Sequence, residues 1–294
     1  MASLLPVGEA LTRGLSLITR QTPPQDLPLH QARGRVLAQD VIALADLPRF
    51  NNSGMDGYAL RLSDLEHHDT LPVSGTSAAS DAVQALPDGA AMRIYTGAPV
   101  PTGADTIVMQ EWAHRTGDHV SFQRLPAQGA NIRARGGDQR QGATVLCAGQ
   151  VLDSRHLAIC AGAGHGTLVG HKRPRVGLLC TGDELIPAGN TATDGAIWDV
   201  NTPMLSALLG DLADIVILDQ VEDTFEAMRA ALSNAAQQVD LIVTSGGVSV
   251  GDRDHVKPAL RTLGADIAVS GVAIKPGKPI TLARLDETPV ISLP

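Results

Sequence analysis

The sequence predicts a multidomain protein that combines a β-rich part with an α/β part built on a mainly parallel sheet. The chain has 294 residues, which is enough for two or three domains. Between residues 35 and 142, short β-favouring runs alternate with Gly, Pro, Asn and Asp turns, as in a small barrel or curled sheet. From residue 174 onward, apolar strands alternate with helical stretches, which is typical of a parallel sheet with helices on both faces.

These changes of texture predict three domains. Residues 1–42 and 143–173 form a small connecting α+β domain, residues 43–142 the β-rich, barrel-like domain, and residues 174–294 the α/β domain. An amphipathic helix over 7–20 belongs to the first segment and can pack on the α/β domain, and QTPPQDLP ends it because adjacent prolines cannot continue a helix.

The later elements follow from local signals. A helix is expected to begin near Asp153, and Asp223 with Glu226 has the spacing of a capping box for the helix of TFEAMRAALSNAAQQV. The other predicted elements of the α/β part are strands at RVGLLC, IVIL, LIVTS and PVISLP and helices at PMLSALLG and DHVKPALRTLG.

Composition and charge narrow the class of protein. The net charge of -8 disfavours nonspecific binding to nucleic acid or membranes, which attract extended basic surfaces. No apolar run reaches the ~18 residues of a membrane span, and the first twenty residues lack the pattern of a secretory signal. Cys147, Cys160 and Cys180 have no metal-ligand spacing and are expected to be reduced core thiols, so a cytoplasmic location is predicted.

Three loops of the α/β part carry carboxylates. In such sheets, ligands bind beyond the carboxyl ends of the strands, where TGDEL (181–185), QVED (220–223) and SGGVSVGDRD (245–254) are expected to meet. Gly246 and Gly247 allow a backbone to approach a ligand closely. A phosphate beside these acids requires a divalent cation, and Mg²⁺ uses one or two carboxylates plus phosphate oxygens. The alternatives are a tight turn with a capping aspartate and a solvated loop carboxylate.

Two further features suit anions or polar ligands. AIKPGKPIT (273–281) holds Lys275 and Lys278 between stiffening prolines, as expected for an oxyanion or phosphate site, with an exposed basic turn as the alternative. In the β-rich part, polar turns present Asp56, Thr96 and Asp138, each of which can also be simply a structured turn.

Six collinear segments carry a family resemblance: SGMDGYA, TGAPVPTGAD, NIRARGGD, LLCTGDEL, SGGVSVGDRD and AIKPGKP. Together they resemble the molybdopterin molybdotransferase family, which comprises the bacterial MoeA proteins and the E domain of gephyrin. The resemblance implies Mg²⁺-dependent insertion of molybdate into adenylylated molybdopterin with release of AMP. It also implies an α/β fold similar to that of the molybdopterin adenylyltransferases, which are possible partners, and a homodimer whose active site is shared between subunits.

The resemblance assigns a role to each matching position. Glu184 and Asp254 would hold Mg²⁺, and Asp223 would add negative charge nearby. Ser249 would lie beside the oxyanion, Lys275 and Lys278 would attract molybdate or the pterin phosphate, and Asp56, Thr96 and Asp138 would come from the β-rich domain of the partner subunit. The implied substrate-binding residues are Thr181, Gly182, Ser245, Gly246, Gly247 and Pro279.

Two departures from the family pattern bear on activity. Gly271 stands where the family usually has a basic residue, and the sequence stops at VISLP, before the family's further small β domain. We therefore expect that domain, which supplies an arginine and a serine to the molybdate site, to be absent from this chain. The alternatives are a non-catalytic molybdopterin-binding or scaffold module, a nucleotide-processing enzyme of the competence-damage type, and a metal-dependent phosphohydrolase.

Overall fold

The structure is a computed structural model and describes residues 4–191, 194–246 and 255–294. The chain divides into two compact units. The α/β unit comprises Met1–Asp26, Gly34–Val36 and Val169–Pro294, and the β-rich unit comprises Leu27–Arg33 and Leu37–Leu168. The combination of an α/β part with a β-rich part confirms the predicted fold class in outline, while the barrel-like form of the β-rich part, the connecting α+β domain and the division into three domains stay predictions.

The helices of the described residues are α1 (Val7–Leu15), α2 (Ser154–Gly162), α3 (Asn201–Leu209), α4 (Phe225–Ala236) and α5 (Val256–Thr262). The strands are β1 (Pro24–Pro28), β2 (Val41–Ile42), β3 (Asn52–Ser53), β4 (Gly57–Leu60), β5 (Thr70–Ser77), β6 (Ala91–Ile94), β7 (Thr106–Met109), β8 (Ala113–Thr116), β9 (His119–Phe122), β10 (Ile132–Arg133), β11 (Thr144–Leu146), β12 (Thr167–His171), β13 (Arg175–Cys180), β14 (Leu185–Ile186), β15 (Ile197–Trp198), β16 (Asp214–Ile217), β17 (Leu241–Ser245), β18 (Asp266–Ser270), β19 (Thr281–Leu285) and β20 (Thr288–Leu293). No helix in the described residues is long and apolar enough to cross a membrane.

The α/β unit is built on a six-stranded sheet with the order β16–β13–β17–β20–β19–β18. The first four strands are parallel, β19 runs antiparallel to β20, and β18 runs antiparallel to β19. The sheet is therefore mixed because β19 runs against the other five strands, and both β18 and β19 are missing from the sequence prediction. Since β18 points the same way as the parallel strands, the β18–β19 turn emerges at their carboxyl edge.

Side chains alternate between the two faces of this sheet. On one face, Leu179, Ile242 and Val290 form a buried core with side chains of α4 and α5. On the other face, Leu178 and Val243 pack with α3, and Val269 packs with Ala10 of α1. Both faces are covered by helices, as the alternation of strands and helices predicts.

The β-rich unit contains a six-stranded sheet with the order β7–β4–β6–β5–β9–β8, antiparallel except for the β5–β6 pair. Its strand β4 is buried along its whole length. Tyr58 and Leu60 contribute to one apolar cluster and Ala59 to another. A further cluster joins Leu37, Leu146 and Cys160 of α2. Because β4 is fixed on both faces, the turns that flank it are held in place.

Three local predictions are wrong in detail. Helix α1 ends at Leu15 rather than at residue 20, because the Ser16 hydroxyl donates to Arg13 O (2.7 Å) and the Leu17 N–H turns to Gly14 O (3.1 Å). The N-cap of α4 is Thr224, which accepts from the Ala227 N–H (3.3 Å), and not Asp223.

The remaining correction concerns the cysteines. Cys160 is buried and Cys180 is half-buried, but Cys147 is exposed and is not a core thiol. In contrast, the helix predicted near Asp153 is confirmed. The Asp153 carboxylate accepts from the N–H groups of Arg155 (2.9 Å) and His156 (3.0 Å), and His156 Nδ1 accepts from the Asp153 N–H (3.1 Å).

Candidate functional site

The carboxyl edge of the α/β sheet gathers the loops that the sequence singles out. The loops after β13, β16 and β17 leave from this edge because those strands are parallel neighbours. The β18–β19 turn, which carries Lys275 and Lys278, leaves from the same edge. Four strand spacings separate β13 from β18, which is about 19 Å at ~4.8 Å per strand. The edge therefore carries acidic loops at one end and a basic turn at the other.

The loop after β13 is a tight turn. The Leu185 N–H donates to Gly182 O (3.0 Å), and the Gln220 amide donates to Gly182 O (3.0 Å) and Leu185 O (3.1 Å). Glu184 is exposed, and a Cβ added at Gly182 would lie 2.8 Å from its carboxylate. Because Gly182 has no side chain, the Glu184 carboxylate can lie close to the backbone of the turn. Gln220, which the sequence analysis did not single out, joins this turn to the loop after β16 by its two hydrogen bonds.

Asp223 is brought to this loop by the step after β16. Its backbone N–H donates to Asp183 Oδ1 (3.3 Å), and its own carboxylate Oδ1 lies 3.9 Å from Nε2 of His255, the N-cap of α5. The loops after β13 and β16 and the start of α5 therefore meet here, while residues 247–254 of the third predicted loop lie outside the described residues. The partner His255 was not predicted, although it stands directly after the glycine-rich stretch.

Gly246 has a structural requirement of its own. Its φ is +88°, and an added Cβ would lie 2.4 Å from Thr181 O. The sequence analysis attributes the need for a glycine here to a ligand, but at Gly246 the atom that comes close is the carbonyl oxygen of Thr181, directly after β13. Gly247, Ser249 and Asp254 lie outside the described residues.

Ser245 and Thr181 are buried at the base of these loops. The Thr181 N–H donates to Ser245 O (3.0 Å), and the Asn201 amide donates to Ser245 Oγ (2.8 Å). Asp199 in turn accepts from the Asn201 N–H (3.0 Å), so the start of α3 is tied to the end of β17. Burial raises the pKa of the nearby Cys180 thiol, which keeps it protonated and unreactive.

Hydroxyl side chains form the last row of the sheet below the loops. Thr244 pairs with Ser292 and Ser292 with Thr281, so the three side chains lie side by side on one face. All three residues are buried. The hydroxyls of Thr181, Thr244 and Ser292 have no hydrogen-bond partner in the described part of the chain. The sheet surface directly below the loops is therefore polar, although the side chains further along the same strands, such as Ile242 and Val290, are apolar.

The lysine-bearing turn is braced by its own backbone and by the N-terminal segment. The Val272 N–H donates to Lys278 O (2.9 Å), and the Ala273 N–H donates to Leu5 O (2.8 Å). Lys275 and Lys278 are exposed, and Pro279 is half-buried. Gly271 has a φ of +109° and would bring a Cβ to 3.0 Å from Leu4 Cδ2, which disfavours a basic residue at this position.

The β-rich unit holds a second polar cluster. Asp56 Oδ1 accepts from the Thr96 N–H (2.7 Å) and the Thr96 hydroxyl (2.8 Å). These two bonds, helped by the Arg93 guanidinium, lower the pKa of Asp56. Because β3 and β10 are antiparallel, Asp56 follows the end of β3 beside Asn131, whereas Asp138 lies beyond the other end of the pair, where its N–H donates to Leu47 O (2.9 Å). Asp138 itself accepts from the Arg133 guanidinium (2.7 Å), so this carboxylate has a cation beside it.

The sheet edge offers one exposed carboxylate, Glu184, that suits a magnesium ion. Within residues 4–191, 194–246 and 255–294, no three His, Cys, Asp or Glu side chains are grouped closely enough to hold a metal ion. Mg²⁺ is often bound by only one or two carboxylates together with phosphate oxygens, and the exposed Glu184 suits that arrangement. The other predicted ligand, Asp254, is outside the described residues.

Comparison with known proteins identifies the family. Residues 5–164 match the family described as MoeA N-terminal region (domain I and II). The chain belongs to the MoeA family. Residues 177–294 match the probable molybdopterin binding domain, so the two matches account for most of the chain. The predicted resemblance is confirmed.

Named relatives support the same assignment. The chain is 36% identical to the molybdopterin molybdenumtransferase of Haemophilus influenzae, over 99% of this chain and 72% of that protein. It is 37% identical to molybdopterin molybdenumtransferase 2 of Mycobacterium tuberculosis, over 96% of this chain and 73% of that protein. These MoeA relatives are transferases by name.

A solved MoeA structure has a similar fold. The molybdopterin biosynthesis MoeA protein of Pyrococcus horikoshii matches with a TM-score of 0.83 and 28% identity, covering 99% of this chain and 74% of that one. The order of secondary-structure elements described above is therefore that of a MoeA protein over this length.

Proposed function

We propose that this MoeA-family chain takes part in molybdenum cofactor biosynthesis by inserting molybdate into adenylylated molybdopterin with release of AMP. The observation that supports this most directly is the shared sheet edge, where acidic loops and a basic turn face the same side in a protein related to molybdopterin molybdenumtransferases. The reaction needs both, because it joins two anionic substrates and cleaves a pyrophosphate bond.

The acidic end of the edge is assigned to Mg²⁺ and the pyrophosphate. Glu184 and Asp254 would hold the ion, which neutralises phosphate charge when it is bound. Asp223 would adjust the local charge, and Ser249 would lie beside the oxyanion. The implied substrate-binding residues of this end are Thr181, Gly182, Ser245, Gly246 and Gly247. Of these, Thr181, Ser245 and Gly246 also build the base of the loops.

The basic end is assigned to molybdate or the pterin phosphate. Lys275 and Lys278 are exposed on a turn that backbone hydrogen bonds brace internally and join to Leu5, with Pro279 at its exit. The strands that this turn connects, β19 and β18, lie three and four strand spacings from β13, about 14 and 19 Å, which suits a substrate that extends along the edge. One small anion would not contact both ends at once.

Assembly and location complete the proposal. Asp56, Thr96 and Asp138 would reach the site from the β-rich unit of a second copy in a homodimer. The hydrogen bonds from Thr96 keep Asp56 ionised and oriented, so this carboxylate is prepared before any substrate arrives. A cytoplasmic location and a molybdopterin adenylyltransferase as the donor of the adenylylated pterin belong to the same proposal.

The test is an AMP-release assay with purified protein, adenylylated molybdopterin, molybdate and MgCl₂. Glu184→Gln should lower the rate at least tenfold, and the rate should recover partly at raised Mg²⁺. The matched control is Glu226→Gln on the surface of α4, where the carboxylate only pairs with Arg229 (2.9 Å), and it should retain the full rate. Equal rates in both variants would refute the metal assignment.

The same assay separates the other interpretations. Pterin binding without any AMP release would favour the binding or scaffold module. Turnover of free nucleotides or ADP-ribose in preference to adenylylated molybdopterin would favour a nucleotide-processing enzyme or a phosphohydrolase. Lys278→Ala should raise the molybdate concentration needed for half-maximal rate more than it weakens pterin binding, with Lys172→Ala, at the end of β12, as the control.

A further inference from the structure

The sequence contains two tyrosines, and both lie against the same arginine of the β-rich unit. The guanidinium carbon of Arg93 is 5.2 Å from the centre of the Tyr58 ring and 5.0 Å from the centre of the Tyr95 ring. Both distances are within the ~6 Å at which an aromatic ring attracts a cation. Aromatic residues make up 2% of the sequence, so an abundance of rings does not explain this arrangement.

The strand register brings these three side chains together. Tyr58 of β4 is directly opposite Arg93 of β6 in an antiparallel pair, so their side chains lie on the same face. Tyr95 directly follows β6, and its ring covers the guanidinium from another side. Tyr58 is 6% exposed and Tyr95 is 44% exposed, so one ring forms the inner side of the arginine's surroundings and the other the outer side.

Arg93 also donates two hydrogen bonds across the sheet. Its Nη1 donates to Gly57 O (3.0 Å), and its Nη2 donates to the side-chain oxygen of Gln110 (2.6 Å). The backbone N–H of Gln110 donates in turn to Asp56 O (3.0 Å). Arg93 therefore holds the residue after Asp56 directly, and it holds the Asp56 carbonyl through Gln110.

The Asp56 carboxylate has one bonded oxygen and one free oxygen. The Thr96 N–H and hydroxyl both donate to Oδ1, while no donor of the described residues reaches Oδ2. The direction of Oδ2 depends on how firmly the start of β4 and the end of β6 are held, because Asp56 precedes β4 and Thr96 follows β6. Arg93 joins these two ends, since it belongs to β6 and donates to Gly57, the first residue of β4.

The charge of Arg93 acts on the same carboxylate. The bonds from Thr96 lower the pKa of Asp56 most, and the positive charge of Arg93 lowers it further. The other charged side chains on the elements packed around Asp56 are Arg133 of β10, which pairs with Asp138 at 2.7 Å, and Glu111 after β7, which accepts from the Gln110 amide at 3.4 Å. Arg93 is therefore the cation that acts on Asp56 without an ion pair of its own in the described residues.

We propose that Arg93, enclosed by the two tyrosines, is a positioning residue that fixes Asp56 and Thr96 in the geometry used by the reaction. The part that Asp56 plays in the reaction rests on the proposed function, and Arg93 is the group that prepares it. A guanidinium suits this task because it is planar, stacks on rings and still donates from its edge. A lysine would supply the charge without this planar set of donors.

NMR of the substrate-free protein tests the positioning independently of the reaction. In Arg93→Met, the pKa of Asp56 should rise towards its ordinary value of 3.8. The amides of Thr96 and Gln110, which both donate to Asp56, should exchange at least tenfold faster relative to amides of the β5–β9 pair. Arg93→Lys should keep the pKa near its wild-type value but show the same faster exchange, because it retains the charge and loses the donors.

Arg124→Met is the matched control. It removes a guanidinium that lies 4.5 Å from the centre of the Trp112 ring in the same unit, and it should change neither the pKa of Asp56 nor the two amides. Equal pKa values and equal exchange in Arg93→Met and Arg124→Met would overturn the proposal.

Tyr95→Leu decides the question if Arg93→Met does not fold. The Tyr95 ring is partly exposed, so its loss leaves the core intact but opens the outer side of the arginine. The Thr96 amide should then exchange at least threefold faster than in the wild-type protein. Unchanged exchange in this variant would also count against the proposal.

The AMP-release assay separates this proposal from the proposed function. Arg93→Met should lower kcat at least tenfold, and the acidic limb of its pH–rate profile should move to higher pH because Asp56 acts in its ionised form. Changes in the NMR data with full AMP release would uphold the positioning of Asp56 and refute its part in the reaction. Loss of AMP release without changes in the NMR data would show that Arg93 acts in another way, and would overturn the proposal.

Discussion

Replacing Gly246 by alanine tests how the edge of the α/β sheet is built. The glycine has a φ of +88°, which costs an alanine about 1–2 kcal/mol. The new Cβ would also lie 2.4 Å from Thr181 O, so that backbone must move by about 1 Å to reach an ordinary contact distance. The movement stretches the bond from the Thr181 N–H to Ser245 O, now 3.0 Å, which contributes about 0.5–1.5 kcal/mol. We expect a total loss of about 2–3 kcal/mol.

Gly264→Ala is the matched control for this prediction. Gly264 lies in the same unit with a φ of +79°, but no atom lies within 4 Å of its added Cβ. It should therefore lose only the conformational part, about 1–2 kcal/mol. Urea unfolding gives both free energies, and hydrogen exchange should show faster exchange at the ends of β13 and β17 in Gly246→Ala alone. Equal destabilisation and unchanged exchange would refute the claim that the Thr181 carbonyl requires the glycine.

Three further predictions concern stability and ionisation. Thr96→Val should raise the pKa of Asp56 towards its ordinary value, as measured by NMR titration. Valine keeps the backbone N–H that donates to Asp56 but lacks the hydroxyl that donates to it in the wild-type protein. The pKa of Asp153 is lowered to about 2 by the His156 N–H and by Arg155. The stability that the ionised carboxylate contributes is therefore fully present above pH 3.8 and is lost as the pH falls towards 2. Asp153→Asn should remove this part of the pH dependence of the free energy of unfolding. Leu260→Ala should cost about 2–5 kcal/mol in urea unfolding because the side chain is completely buried, whereas the half-exposed Leu125→Ala should cost under ~1 kcal/mol.

The parallel core of the α/β sheet could be predicted from the sequence because its signals are local. The strands β13, β16, β17 and β20 are apolar runs bounded by turn residues, and their carboxyl ends identify the edge where loops meet. The strands β18 and β19 are as long as β17, but they were missed because they are only partly buried, and because Asp266 begins β18 and Arg284 interrupts the apolar pattern of β19. Tertiary pairing, rather than propensity, makes these segments strands.

Contacts between distant residues explain the other differences. Asp223 and Thr224 are both good N-cap residues, and the sequence does not distinguish them; the bond from the Asp223 N–H to Asp183 places Asp223 in the loop and leaves the cap to Thr224. In the same way, Asp56 and Thr96 are forty residues apart and meet only because β4 and β6 are neighbours. The sequence could identify residues whose types suit a cap or a site, but it could not identify the distant residues with which they form hydrogen bonds.

Buried hydroxyl side chains lie at the end of the α/β sheet that bears the loops, and apolar side chains lie below them. This difference affects where the sheet opens locally. Thr244 and Ser292 hold buried hydroxyls that have no partner in the described residues, so a water molecule that enters at this end gains hydrogen bonds, while one that enters beside Ile242 gains none. Thermal opening should therefore start at the rim that bears the loops and proceed inward. The rim can then adjust to an arriving molecule while the rest of the sheet stays closed.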